Sequence, residues 1–144
     1  MARGYPDFFG NSVFPWYGPA ARALGGVDVP GGGREIIVEN TGKRHIYAVQ
    51  IHTIDADWDK NDGISMYVDG VLIRSTSWWS LLDYERNSQM PTEMWLSCYD
   101  EEHHYHVMGF GGGFSIGLSI RIEYTVFGVN PVTVFGQIVS GVIL

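Results

Sequence analysis

Cysteine is nearly missing: Cys98 stands alone in 144 residues. One thiol closes no disulfide within a chain and builds no cysteine-only zinc site, so the fold must rest on its own core. Positive charge is scarce as well, with 9 Lys and Arg against 16 Asp and Glu and a formal net charge of −7. Phosphate backbones are bound by basic faces, and nucleic acid is therefore not expected as the main partner. Met1 to Gly10 reads MARGYPDFFG and lacks the continuous apolar stretch of a signal peptide. No Asn-x-Ser/Thr acceptor calls for a secretory route. Tyr124 to Leu144 carries no charge, yet Asn130, Pro131, Gln137 and several glycines interrupt it, and its apolar residues alternate as in a strand. No membrane-spanning helix is expected from such a pattern.

What is present is apolar and aromatic: 45% hydrophobic, 14% aromatic and only 17% charged residues. That balance excludes a wholly disordered chain, and the length suits one domain with a core of its own.

The chain divides into residues 1–33 and 34–144. The first part holds four of the six prolines (Pro6, Pro15, Pro19, Pro30) and a crowd of aromatics, Tyr5, Phe8, Phe9, Phe14, Trp16 and Tyr17. Proline at this density forbids a continuous helix and removes sheet donors. The aromatics bury about 150–250 Å² each when covered, so an extended arm lying on a surface fits better than a solvated linker. That surface is either the arm's own domain or a neighbouring subunit. Gly25-Gly26 and Gly31-Gly32-Gly33 read as hinges, and Ala20 to Leu24 as at most one helical turn.

From Arg34 onward the apolar period is two. Phe114 to Val126 alternates throughout and reads as one long half-buried strand. Further strands are expected at Arg34–Glu39, Arg44–Ile54, Ile64–Val68, Val71–Ser77, Glu93–Tyr99, His104–Met108 and Val132–Val139, with a single helix from Trp78 to Arg86. Asn40-Thr41-Gly42 reads as the first hairpin turn, and Asp69-Gly70 as a type I′ turn. The expected fold is all-β: an antiparallel two-sheet β-sandwich, jelly-roll-like, with an extended N-terminal arm.

Several clusters invite chemistry. Gly113-Phe114-Ser115-Ile116-Gly117 matches the pattern of an esterase nucleophile elbow, but Ser115 falls inside a strand with no helix following, so no catalytic residue is assigned. Gly109 to Gly113 reads as a flexible turn rather than a phosphate loop. In the loop from Asp55 to Gly63, the residues Asp55, Asp57, Asp59 and Asn61 offer oxygens to calcium. An EF-hand register fails there, because Asp62 replaces the turn glycine and Val68 the closing acid, so a polar loop tip with Asx turns is preferred. His104 and His106, two apart on an expected strand, would share a face and reach one zinc ion; polar strand residues are the plainer reading. Trp58, Trp78, Trp79 and Trp95 are candidates for a sugar-stacking platform, Trp78 and Trp79 above all, with core or interface packing as the alternative. No cofactor is required.

Both ends of the chain point to assembly. The last residues, Val142, Ile143 and Leu144, finish an apolar β-rich tail that would aggregate unless covered, and a neighbouring copy covers it economically. Tyr5-Pro6-Asp7-Phe8-Phe9-Gly10, Ser12-Val13-Phe14-Pro15 and Tyr17-Gly18 resemble the start of small virion proteins of tailed bacteriophages. The Tyr67-Val68-Asp69-Gly70 hairpin in a compact sandwich is similar to their capsid-decoration and tail-accessory proteins. The resemblance implies a non-enzymatic virion protein, often trimeric, whose arm grips neighbouring subunits and the major capsid protein. The arm residues Phe8, Phe9, Phe14, Trp16 and Tyr17, with Val142, Ile143 and Leu144, are the expected subunit contacts. The competing class is a tail or fibre accessory protein or a lectin-like module using Trp78, Trp79 and the Asp55 loop.

Overall fold

A computed structural model describes residues 5–6, 12–14, 21–22, 26–87 and 94–143. The elements run β1 (Tyr5–Pro6), β2 (Ser12–Phe14), β3 (Ala21–Arg22), β4 (Val27–Val29), β5 (Arg34–Thr41), β6 (Arg44–Thr53), β7 (Gly63–Val68) and β8 (Val71–Ser77). They continue with α1 (Trp78–Asn87), β9 (Met94–Asp100), β10 (Tyr105–Ile116), β11 (Ser119–Thr125) and β12 (Val132–Ile143). Sheet A has the order β1-β2-β12-β6-β10-β9, with β3 and β4 also paired to β12, and sheet B has the order β5-β11-β7-β8. Every described pairing is antiparallel. The fold is the expected all-β two-sheet sandwich. From β4 to β12 only β7–β8 and β9–β10 are sequential hairpins; the other connections pass between the sheets, which is jelly-roll-like wiring. The single described helix is too short to cross a membrane.

Alternation builds the core. In β11, Ile120, Ile122 and Tyr124 are buried while Arg121, Glu123 and Thr125 are only partly covered. They meet Ile64 and Met66 of β7 and, from the opposite sheet, residues such as Ile46, Ile51, Met108, Phe110 and Ile138. Removing this surface from water contributes about 25 cal/mol per Å².

Four local expectations are corrected. The stretch Phe114–Val126 is two strands in different sheets: Phe114 to Ile116 pairs with β6, and Ser119 to Thr125 pairs with β5 and β7. Asp69 sets the break, because its carboxylate accepts the backbone N–H groups of Gly117, Leu118 and Ser119 at 3.2, 2.7 and 3.0 Å. Asn40-Thr41-Gly42 is a passage from sheet B to sheet A and not a hairpin, since β5 pairs with β11 while β6 pairs with β10 and β12. Gly109 lies within the β10 ladder, with a register shift between Gly111 and Phe114 taking up the glycine run. Ala21–Arg22 is strand β3 against Gln137 and Ile138, where a helical turn was expected. The type I′ turn is present, with Asp69 and Gly70 at φ of 50° and 81°.

The glycine triplet is pinned. Gly32 donates to Gly128, Gly33 donates to Pro30, and Val126 donates to Gly33. At Gly31 a side chain would run into the Val129 carbonyl, so the turn admits only glycine there. Just before this turn, β4 pairs with β12 and buries Val29 in the common core.

One polar chain runs through the apolar interior. Trp78 Nε1 donates to the Tyr124 hydroxyl at 2.8 Å, and that hydroxyl donates to Asp62 Oδ2 at 2.8 Å. Asp62 also accepts Phe127 N–H at 2.8 Å and Asp59 N–H at 3.1 Å. Burial raises the Asp62 carboxyl above its ordinary range, against the lowering effect of these donors. Burial likewise pushes the Tyr124 phenol well above its usual value. Tyr124→Phe leaves the buried Trp78 N–H without a partner and removes one of the two donors to Asp62 Oδ2. It is expected to lower the unfolding free energy by about 2–3 kcal/mol, read as a lower urea midpoint at unchanged slope.

Candidate functional site

The acidic loop turns its oxygens to its own backbone and to donors just before and within β12. Asp55 Oδ1 accepts Asp57 N–H at 2.9 Å and Asp55 Oδ2 accepts Thr133 N–H at 2.9 Å. Asp59 Oδ1 accepts Asn61 N–H at 2.7 Å, and Asp57 Oδ1 accepts the Asn130 amide at 3.1 Å. The bonds at Asp55–Asp57 and Asp59–Asn61 are the Asx turns that the sequence suggests, and the other two tie the loop to the start of β12. Among the described residues no three His, Cys, Asp or Glu side chains converge as a metal site would require.

The histidine pair does not share a strand face. His104 closes the β9–β10 turn at φ 55°, and β10 begins one residue later. His106 is fully buried, its ring centroid 3.8 Å from Trp58, 4.8 Å from Tyr99 and 5.6 Å from Trp78. Neither ring nitrogen of His106 has a hydrogen-bond partner among the described residues. Burial pushes the imidazole down to about 4, although the Glu101 and Asp100 carboxylates favour its protonation and His104 opposes it. His106 is packed into an aromatic cluster, which corrects both the plainer reading as a polar strand residue and the shared face with His104 that a zinc pair would need.

Trp78 and Trp79 part company because they open a helix. Ser77 caps α1, its hydroxyl accepting Ser80 N–H at 3.2 Å. A step of about 100° per residue then sends one ring inward and the next outward. Trp78 is buried in the core and offers no face to a ligand, which corrects its assignment as a binding residue. Trp79 is 43% exposed, with the Lys60 ammonium 4.9 Å above its ring. An open cleft runs beside it, lined by Trp79, Leu82, Tyr99, Asp100 and Glu101. Ser115 sits opposite His45 in the β10–β6 ladder, hydroxyl to Nδ1 3.2 Å, inside a strand where a nucleophile elbow needs an exposed turn.

Of the expected subunit contacts, Phe8, Phe9, Trp16, Tyr17 and Leu144 lie outside the described residues. Phe14 enters through its backbone only, opposite Val142 in the β2–β12 pair. Ile143 is buried and Val142 partly covered. The outer edge of β12 is taken at Val132–Val134 by β4, at Gln137–Ile138 by β3 and at Val142–Ile143 by β2 of the same chain.

Among the described residues no strand lies along either edge of sheet B. Strand β8 ends that sheet, and Val71, Leu72 and Ile73 are 61, 50 and 42% exposed along it. At the opposite edge, β5 presents exposed Glu35 and Glu39 around Ile36, itself 46% exposed. β8 spans Val71–Ser77 as its sequence pattern predicts, while its exposed apolar surface was not anticipated. The signal was three aliphatics in succession directly after the turn, where a half-buried strand would alternate. No family model matches the chain, and no curated protein matches it as a relative.

The His106 environment fixes a pH response. The unfolded imidazole takes its proton near 6.5 and the folded one near 4, so the unfolded state binds more protons between those values. Stability is therefore expected to be full above pH 6.5 and to decline as pH falls towards 4, by about 3 kcal/mol at most. Urea melts across that window are expected to show a clearly smaller decline in His106→Phe than in the natural protein, the remainder owed to His52, which burial also pushes down; parallel declines would remove His106 as a cause.

Proposed function

We propose that this protein is a non-enzymatic structural protein that joins copies of itself, a capsid-decoration or cement protein of the tailed-phage kind that its opening residues resemble. One observation carries the reading: an edge strand with three consecutive exposed aliphatics and no strand beyond it among the described residues. Such an edge is a template for pairing, and folded proteins normally blunt it with lysine, proline or a cover. β8 has neither lysine nor proline.

The two edges of sheet B suit each other. Strand directions alternate through β5, β11, β7 and β8, so β8 of one copy laid on β5 of the next continues the antiparallel order. That contact brings the Arg74 strand against the Glu35 and Glu39 strand and covers Val71, Leu72 and Ile73. Burial of these side chains contributes about 1.5–3 kcal/mol each where complete. A heterologous contact of this type closes into a ring when the rotation allows, and a trimer is the expected product. The arm aromatics Phe8, Phe9, Phe14, Trp16 and Tyr17 supply the second grip in this scheme, towards neighbours on the particle.

Light scattering after size exclusion tests the reading. The natural chain is expected to run as a trimer and Leu72→Glu as a folded monomer, since an exposed position changes monomer stability by only about 0.5 kcal/mol. A natural chain that stays monomeric at its highest soluble concentration overturns self-assembly. An oligomer untouched by Leu72→Glu moves the contact away from β8.

A further inference from the structure

The geometry points to a second surface, remote from the β8 edge: a groove on the outer face of sheet A that binds a neutral carbohydrate, with Trp95 as the stacking platform and Gln50 and Gln137 as the polar readers. Four cross-strand partners form one row over four adjacent strands. Trp95 of β9 lies opposite Gly109 of β10, Gly109 opposite Gln50 of β6, and Gln50 opposite Gln137 of β12. Partners in register share a face, and three strand spacings carry the row across roughly 14 Å.

Gly109 makes the platform. A side chain there would meet Trp95 Cε2 and Cζ2 at 2.5 Å and Nε1 at 2.7 Å, so the indole rests directly on the bare backbone. The ring stays 41% exposed while supported from beneath. Beside it opens a groove of about 220 Å³ bounded by Trp95, Gly109, Gln50, Gln137, Ala48 and Val139. Gln50 is exposed and Gln137 partly so, and no hydrogen bond among the described residues engages either amide.

The chemistry selects the ligand. No acid or base lines the groove, which disfavours phosphate, sulfate and ammonium groups. Each glutamine offers two donors and an acceptor, which suits hydroxyls that both donate and accept. An aromatic face takes the apolar C–H face of a sugar ring. A proline-rich peptide would also stack on the indole, but its carbonyls accept only and leave the amide acceptors unused.

The test is a panel of neutral hexasaccharides (maltohexaose, cellohexaose, mannohexaose and xylohexaose) titrated calorimetrically into the natural protein. Binding of at least one is expected. Trp95→Ala and the double variant Gln50→Ala/Gln137→Ala are each expected to weaken it about tenfold or more, which is roughly 1.4 kcal/mol. Trp79→Ala, outside the groove, is expected to bind as the natural chain does. Circular dichroism establishes that each variant is folded, and the glutamine pair keeps the test decisive if Trp95→Ala is not. No binding by any hexasaccharide, binding indifferent to the glutamine pair, or displacement by a decaproline peptide would each overturn the proposal. Repeating the titration on Leu72→Glu separates it from self-assembly, because the groove is expected to bind whether or not copies associate.

Discussion

A carboxylate taken out of water with no cation beside it must be met by donors, and Asp62 is in that position among the described residues. It is met by Asp59 N–H, Phe127 N–H and the Tyr124 hydroxyl. Each donor fixes a different part of the chain. Phe127 holds the exit of β11, Asp59 holds the long loop, and Tyr124 passes the constraint to Trp78, the first residue of α1. The helix start then places Trp78 against His106, and with it the cluster that joins β10 to the loop through Trp58. A half-satisfied network of this kind would be worse than an apolar core. Satisfied, it fixes one end of the sandwich as a unit.

At the other end a second aspartate does comparable work in the open. Asp69 accepts three amides from the β10–β11 turn, and these contacts hold its carboxyl below the ordinary range, Ser119 and Leu118 contributing most. The hairpin tip is thereby fastened to the passage between the sheets, and β8 leaves that tip as a firmly held edge. A rigid apolar edge is a better partner than a fraying one, because less conformational entropy is lost on docking. Sheet A covers its β12 side within the chain, since β2, β3 and β4 lie along β12, and ends in β9 at the other side. Among the described residues sheet B has no strand laid along either edge.

Much of the fold was legible because strand period and turn chemistry are local. Val71–Ser77 was placed to the residue, Arg44–Thr53 and Gly63–Val68 within one residue at one end, and the Asp69-Gly70 turn by its dipeptide alone. The failures share a cause. Phe114 to Val126 keeps perfect alternation across Gly117 and Leu118, so only the distant carboxylate of Asp69 reveals that the chain changes sheet there. His104 and His106 were paired by spacing, and a left-handed residue at the strand start undid the spacing. The groove was the least legible feature. Trp95 was noticed as an aromatic, but the glycine beneath it is found only through the β9–β10 register, and the two glutamines beside it come from strands far apart in sequence.

The two proposed surfaces make different demands on affinity, and their separation reconciles them. Contact between copies through β8 and β5 involves the edges of sheet B, whereas the groove opens on the outer face of sheet A. Assembly therefore leaves the groove uncovered and repeats it once per copy. A groove of about 220 Å³ built on one indole and two amides suits a weak individual site. Weak sites on a rigid array gain from effective concentration, by factors of roughly 10² to 10⁴ when the spacing of the ligand matches that of the copies. In the proposed arrangement the two roles are linked: the edge proposed to join the copies would set the spacing at which the proposed grooves are presented.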